Sequence, residues 1–160
     1  MSPIHSLLIS LALLSPPAPV PASLQPPAGH EIAFRFEATG VQIYDCTGGT
    51  WVFRAPEATL FNEGGKPRGS HYAGPTWEST GGRVTAVREG GVPIDPTAIP
   101  WLLLRAVSWT GRGKMTDVTY IQRLNTTGGL APSSGCDAGA EARVDYTATY
   151  VFFSREDHGE

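Results

Sequence analysis

The chain has 160 residues, a mass of 17.0 kDa and a formal net charge of −3. Its length predicts a single domain, and an apolar fraction of 41% excludes a disordered chain. With 12 lysines and arginines and no basic run, the sequence argues against nucleic acid as a partner. The 19 glycines and 14 prolines predict a fold rich in turns.

The first 28 residues differ in composition from the rest of the chain. They contain no Asp, Glu, Lys, Arg or Gly, yet they hold seven of the fourteen prolines. Residues 7–14 form an apolar run interrupted only by Ser10, far shorter than the ~20 residues that span a bilayer. This pattern predicts a signal peptide at residues 1–22, cleaved after Ala22, and a Pro-rich linker at 23–29. The alternative is an apolar, disordered N-terminus of a cytosolic protein.

Two cysteines, Cys46 and Cys136, lie on opposite sides of the predicted domain. In a secreted protein, extracellular or periplasmic, two thiols most simply form one disulfide. The alternative is a pair of reduced, buried thiols. Zinc needs three or four converging ligands and the sequence has no CxxC motif, so we expect no metal, and no cofactor is expected either.

From residue 29 onward, apolar residues recur mostly with a period of two, which is typical of half-buried strands. Glycine pairs between these segments indicate turns. The segment 101–109 is apolar enough for burial on both faces, and only residues 56–60 are compatible with a short helix, with Pro56 at its first position. The predicted strands are residues 34–37 and 41–44, separated by Gly40, then 51–53, 84–88, 101–109, 118–124 and 142–153.

These elements predict an all-β fold in a single domain at residues 30–154, followed by a polar C-terminal tail at 155–160. About seven or eight strands without long helices favour an antiparallel β-sandwich or a small β-barrel, with one short helix at most. Strands do not alternate with long helices, so a doubly wound sheet is not expected.

Sequence motifs of the common chemistries are absent. The chain has no GxGxxG, no phosphate-binding loop, no GxSxG elbow and no HExxH. No catalytic residue is therefore predicted from a motif.

The densest group of polar and aromatic residues lies in the stretch 69–82, which is expected to be loop or strand edge. His71, Tyr72, Trp77 and Glu78 suit a hydroxyl-rich ligand, because rings stack on sugar C–H surfaces while His and Glu bind hydroxyls. Arg123 joins these candidate ligand-binding residues, although its polar stretch is expected mainly to shape a turn. Alternatively, Trp77 fills the core and His71 satisfies a buried backbone carbonyl.

Several short motifs follow one another along the chain. They are residues 40–44 with Cys46, Trp51, residues 56–58 with Leu60, residues 71–78, 100–104, 121–123, 125–126 and 128–129, Pro132, Cys136, Tyr146 and Tyr150. In this order they resemble the secreted domain of unknown function family numbered 3455. The resemblance covers about residues 30–153 and implies a small secreted protein. Some members of the family carry a malate dehydrogenase label, which this sequence does not support because it lacks a dinucleotide-binding loop.

The sequence therefore predicts a secreted binding module or cell-surface-associated module whose ligand is an unknown small molecule or glycan, with carbohydrate as the candidate. No nucleic-acid partner and no membrane span are expected. One alternative is a secreted hydrolase that uses Glu78 and His71 as acid and base, together with a second carboxylate such as Asp95 or Glu57. Another is a purely structural envelope protein.

Overall fold

The computed structural model describes residues 18–157, so the apolar run at residues 7–14 lies outside the described residues. Eight antiparallel strands form one closed barrel, which confirms the predicted all-β class. Within residues 18–157 the helical elements are two 3₁₀ turns, Ala22–Leu24 and Lys114–Asp117, and no helix there is long and apolar enough to cross a membrane. The strands are β1 (His30–Thr47), β2 (Thr50–Phe61), β3 (Pro67–Tyr72), β4 (Thr76–Ser79), β5 (Gly82–Val92), β6 (Trp101–Gly111), β7 (Tyr120–Gly128) and β8 (Glu141–Arg155).

Strand β1 runs without a break through Gly40, so the prediction of two separate strands was wrong. Gly40 pairs with Ala58 of β2 and with Tyr146 of β8. A Cβ atom at this position would lie 2.1 Å from the carbonyl oxygen of Glu57. The glycine therefore permits a close approach of β1 and β2 in the curved wall and does not mark a turn.

The short helix expected at residues 56–60 is also absent, because this segment belongs to β2. Pro56 pairs with Gln42 of β1, whereas pairing of β2 with β3 begins only at Ala58. Pro56 therefore lies where one side of β2 has no strand partner, a position where the missing N–H is tolerated.

Strands β3 and β4 come from the segment that the sequence predicted as loop or strand edge. They form a tight antiparallel pair in which His71 lies opposite Trp77 and Ser70 opposite Glu78. The turn between them contains a cis peptide bond between Gly74 and Pro75.

The main core fills the barrel interior, and one end of the barrel is closed by the Lys114–Asp117 turn. Met115 of this turn is fully buried in that core. The ammonium of Lys114 lies 4.4 Å from the centre of the Phe34 ring and 4.6 Å from that of Phe36. Apolar side chains and a cation–π contact thus plug the end at which β1 begins.

A second cluster lies on the outside of the barrel, under the segment that precedes β1. Leu24 is fully buried against Trp101 and Leu103 of β6, and the Gln122 side-chain amide donates a hydrogen bond of 2.7 Å to the Leu24 carbonyl. Part of the region expected to be a linker therefore packs on the wall. This contact also buries the outer face of β6 at Trp101 and Leu103. The prediction of burial on both faces holds for residues 101–104 but is wrong farther along the strand, where Val107 and Trp109 are 42% and 45% exposed.

The predicted disulfide is confirmed: Cys46 and Cys136 are bonded, with Cα atoms 5.9 Å apart. It joins the end of β1 to the long connection that precedes β8. The Cys46 amide also donates a hydrogen bond of 2.9 Å to the Ala140 carbonyl. The connection is therefore tied to the barrel by backbone and side chain together.

Candidate ligand-binding cavity

A cavity of about 470 Å³ occupies the barrel at the end opposite the Lys114–Asp117 turn. The strand order places the β1–β2, β3–β4, β5–β6 and β7–β8 connections at this end. The cavity has the size of typical small-molecule sites, ~300–1,000 Å³. Its wall is largely apolar and includes Ala86, Ile99, Leu102 and Leu104.

His71 and Trp77 form one side of this cavity. Because they lie directly opposite each other in the β3–β4 pair, their side chains share the inner face. The two rings stack with centroids 4.3 Å apart. Tyr150 makes T-shaped contacts with both, with centroid distances of 5.1 Å to His71 and 5.6 Å to Trp77. Three rings from three strands thus hold one another in place.

His71 is neutral in this environment. Its Nδ1 donates a hydrogen bond of 2.8 Å to the Thr76 carbonyl, which can only accept. Burial lowers the pKa of His71 to about 3, a shift that this hydrogen bond partly opposes and the charge of Arg123 reinforces. With its proton on Nδ1, the imidazole has Nε2 left as a hydrogen-bond acceptor.

Two polar atoms of the cavity lining are buried without a hydrogen-bond partner among the described residues: Oε1 of Gln42 and Nε1 of Trp77. The two residues are only 2% and 1% exposed. Leaving such a group unpaired costs ~1–3 kcal/mol, so native proteins rarely do so without a reason. The residues that line the cavity therefore include one unsatisfied acceptor and one unsatisfied donor.

Two arginines face the cavity, Arg123 from β7 and Arg88 from β5. The Arg123 guanidinium donates through Nε and Nη2 to the Pro100 carbonyl, at 3.0 and 2.8 Å. Burial lowers the pKa of Arg123; Tyr150 and Tyr146 oppose this shift, and the charge of Arg88 adds to it. Within residues 18–157 no carboxylate lies within 4.0 Å of either guanidinium.

Tyr72 and Glu78 lie on the outer face of the wall. The register places them on the strand positions that alternate with His71 and Trp77, and the Tyr72 hydroxyl donates a hydrogen bond to Oε2 of Glu78. Of the five candidate residues, His71, Trp77 and Arg123 therefore line the cavity, whereas Tyr72 and Glu78 do not.

This arrangement separates the two groups of the hydrolase alternative. His71 faces inward and Glu78 outward, so they cannot act on one bound substrate as an acid and base pair. The carboxylate of Asp95 accepts a hydrogen bond of 2.8 Å from the Thr97 amide in an exposed loop, and Glu57 pairs with Arg143 on the outer surface. Among the described residues, no group of three or more His, Cys, Asp and Glu side chains is placed to hold a metal ion.

Comparison with known proteins covers the whole barrel. Residues 27–154 match the family described as Protein of unknown function (DUF3455). The chain belongs to the DUF3455 family. The match spans β1 to β7 and all but the last residue of β8, and therefore every residue of the cavity wall, but it assigns no chemistry to them. Searches of curated proteins and of solved structures gave no match.

In this DUF3455 chain the sequence analysis missed Gln42, Tyr44 and Arg88 as lining residues. The sequence does indicate that Gln42 and Tyr44 face inward. Phe36 faces the interior, and every second residue after it, through Gly40 to Gln42 and Tyr44, shares this orientation. The prediction of a strand break at Gly40 concealed this alternation. Arg88 lies in a strand that was predicted, but its inward orientation follows from the register with Leu104.

Proposed function

We propose that this protein binds one small, largely apolar molecule inside its barrel. The observation that carries the proposal is the pair of buried, unpaired atoms in the cavity, Nε1 of Trp77 and Oε1 of Gln42. A ligand with both a hydrogen-bond acceptor and a donor would pair with them once small side-chain shifts expose the two atoms, each of which has less than 1 Å² of accessible surface in the free barrel.

The division of the barrel interior supports the same proposal. Eight-stranded barrels have an interior that either is filled by side chains or holds one small ligand. Here Phe34, Phe36 and Met115 fill one end, whereas the other end retains about 470 Å³ of space. A purely structural role offers no reason for this difference between the two ends.

The position of the rings favours an apolar ligand over a carbohydrate. One face of the Trp77 indole is covered by His71, and the Glu78 carboxylate, expected to bind sugar hydroxyls, is bonded to Tyr72 outside the cavity. Aliphatic side chains such as Leu102 and Leu104 supply much of the wall instead. Such a surface gains most from apolar contact.

The test is binding of 1-aminoanthracene, a neutral fluorescent probe, to the purified protein. We expect saturable binding with one site per chain, and loss of binding in Ala86→Phe, because Ala86 faces the cavity and is buried. The matched control is Ala33→Phe, at an exposed position of β1, which should bind as the wild type does. Circular dichroism confirms folding of both variants. Absence of saturable binding to the folded wild type would refute the proposal.

We also propose that the protein is secreted, extracellular or periplasmic, with residues 1–22 removed. The apolar run at residues 7–14 and the bond between Cys46 and Cys136 support this location. Cleavage after Ala22 leaves Leu24 in its buried position on the barrel. Intact-mass analysis of the exported protein should give a chain that starts at Ser23, and confinement to the cytoplasm would contradict the proposal.

A further inference from the structure

We infer that the ligand is an organic anion, a monocarboxylate with an apolar body, and that Arg123 binds its carboxylate. The inference rests on the proposed function, because it names the ligand class for the same cavity.

The charge of the cavity is the first argument. Arg123 and Arg88 both belong to its lining, and no Asp or Glu of the described chain does. The protein as a whole has a net charge of −3, so this positive site is not a reflection of general basicity. Arg123 is part-buried, and a charge withdrawn from water without a counter-ion is costly. A bound anion supplies the missing partner.

The hydrogen bonds of Arg123 are the second argument. Its Nε and Nη2 donate to one neutral acceptor, the Pro100 carbonyl. A guanidinium has five N–H donors in a rigid plane, so this contact orients the group and leaves further donors for a ligand. Planar carboxylates accept two parallel hydrogen bonds from such a donor set. The Tyr150 hydroxyl also interacts with the guanidinium. Arg123 is therefore held in place by neutral partners, and donors remain for a ligand.

The mutual effect of the two arginines indicates a single negative group. Arg88 lines the same cavity, and its positive charge makes a small contribution that lowers the pKa of Arg123, so the two cations repel each other weakly. One carboxylate near Arg123 relieves this repulsion and neutralises the buried charge at the same time. Arg88, at an exposed position, remains solvated.

The residues at the entrance of the cavity favour a ligand with an apolar body. Phe53 and Val87 belong to the lining yet are 52% and 42% exposed. Together with the leucines deeper in the wall they form an apolar path from solvent to the interior. Trp77 and Gln42 add one neutral donor and one neutral acceptor. This combination suits a molecule with one charged head and a hydrocarbon or aromatic body.

The experiment compares ligands that share one ring system and differ in the head group. Isothermal titration measures naphthalene-2-carboxylate, naphthalene-2-carboxamide and naphthalene-2-sulfonate on the wild-type protein at constant salt. We expect the carboxylate to bind at least about 30-fold more tightly than the amide, the range for a buried charge pair. The sulfonate should bind more weakly than the carboxylate. Equal binding of sulfonate and carboxylate would overturn the carboxylate assignment.

Substitutions of the two arginines test whether they cause the preference for the carboxylate over the amide. Arg123→Gln should bind carboxylate and amide with equal affinity, whereas Arg35→Gln, which removes an exposed charge of β1, should keep the wild-type preference. Should Arg123→Gln fail to fold, Arg88→Gln at the exposed position provides the second test and should reduce the preference several-fold. A preference that persists in folded Arg123→Gln, or one of wild-type size in Arg88→Gln where that variant is the one tested, would overturn the inference.

The neutral probe separates this inference from the proposed function. If 1-aminoanthracene binds at one site and the carboxylate shows no advantage over its amide, only the ligand class is wrong. If 1-aminoanthracene shows no saturable binding to the folded wild type, the proposed function itself fails.

Discussion

The imidazole of His71 lies flat against the indole of Trp77, with ring centroids 4.3 Å apart and planes inclined by 17°. The contact joins β3 to β4 on the inner face of the barrel and fixes one wall of the cavity. It also excludes water from the imidazole, and this burial lowers the pKa of His71 to about 3.

Acid should therefore destabilise the protein through His71. The unfolded chain, with a His pKa near the ordinary value of 6.5, binds one more proton than the folded chain between pH 6.5 and about 3. The stability that the neutral imidazole provides is complete above pH 6.5 and is lost as the pH falls, by up to ~1.4 kcal/mol per pH unit. Urea unfolding at a series of pH values measures this slope, and His71→Asn should make it shallower.

The control for this experiment is Phe152→Leu, a core variant that removes no titratable group. It should lower the free energy of unfolding at every pH while keeping the wild-type slope. An identical slope in His71→Asn and wild type would contradict the assignment to His71.

Trp77 and Glu78 are neighbours in sequence but should respond very differently to substitution. Trp77 is 1% exposed, so Trp77→Ala should lower the free energy of unfolding by ~3–5 kcal/mol. Glu78→Gln changes a side chain on the outer face and should alter stability by less than ~0.5 kcal/mol. Denaturant melts of the two variants check this, and equal losses would show that the stretch 69–82 acts only as a folding unit.

Leu24 should stabilise the barrel from outside. It is 0% exposed and belongs to the cluster on the outside of the barrel. We therefore expect Leu24→Ala to lower the free energy of unfolding by ~2–5 kcal/mol. The same substitution at Leu130, which is 41% exposed, is the matched control and should cost less than ~0.5 kcal/mol. If both variants melt like the wild type, the segment before β1 does not contribute to the fold.

Reduction of the disulfide should lower stability without abolishing the barrel. The bond between Cys46 and Cys136 spans 90 positions, and loss of a native disulfide costs ~2–5 kcal/mol, largely by freeing the unfolded chain. Unfolding of the oxidised and the reduced protein by urea compares the same sequence in both states. Identical midpoints would mean that the backbone contacts of Cys46 alone hold the loop.

The longer strands could be predicted from the sequence, most clearly where apolar and polar residues alternate over many positions. In β8, Tyr146, Ala148, Tyr150 and Phe152 face the core as expected. The inward face of β1 escaped prediction beyond Gly40, since a glycine in a strand is equally typical of a turn. Its real function, a close approach to Glu57, depends on a neighbour that is remote in sequence.

The candidate site was predictable in part. The concentration of polar and aromatic residues around His71 and Trp77 identified the segment that forms one side of the cavity. The sequence did not show that Glu78 faces outward, because β3 and β4 are too short for a clear alternation. Arg123 was found as a polar residue after a strand, while its role in the cavity depends on Arg88 and Tyr150 from other strands and on Pro100 from the connection before β6. Such a convergence is created only by barrel closure.

The pairing of β1 with β8 brings together the two ends of the domain, whereas every other strand pairs with its neighbour in sequence. Joining two distant segments has the largest entropic cost of any step in assembling such a sheet. The crosslink at Cys46 lies beside the last pair of this seam, Asp45 and Glu141. If the disulfide forms before the chain folds, it already holds the two segments together at this point. The β1–β8 pairs can then form in order from Asp45 and Glu141 toward the termini.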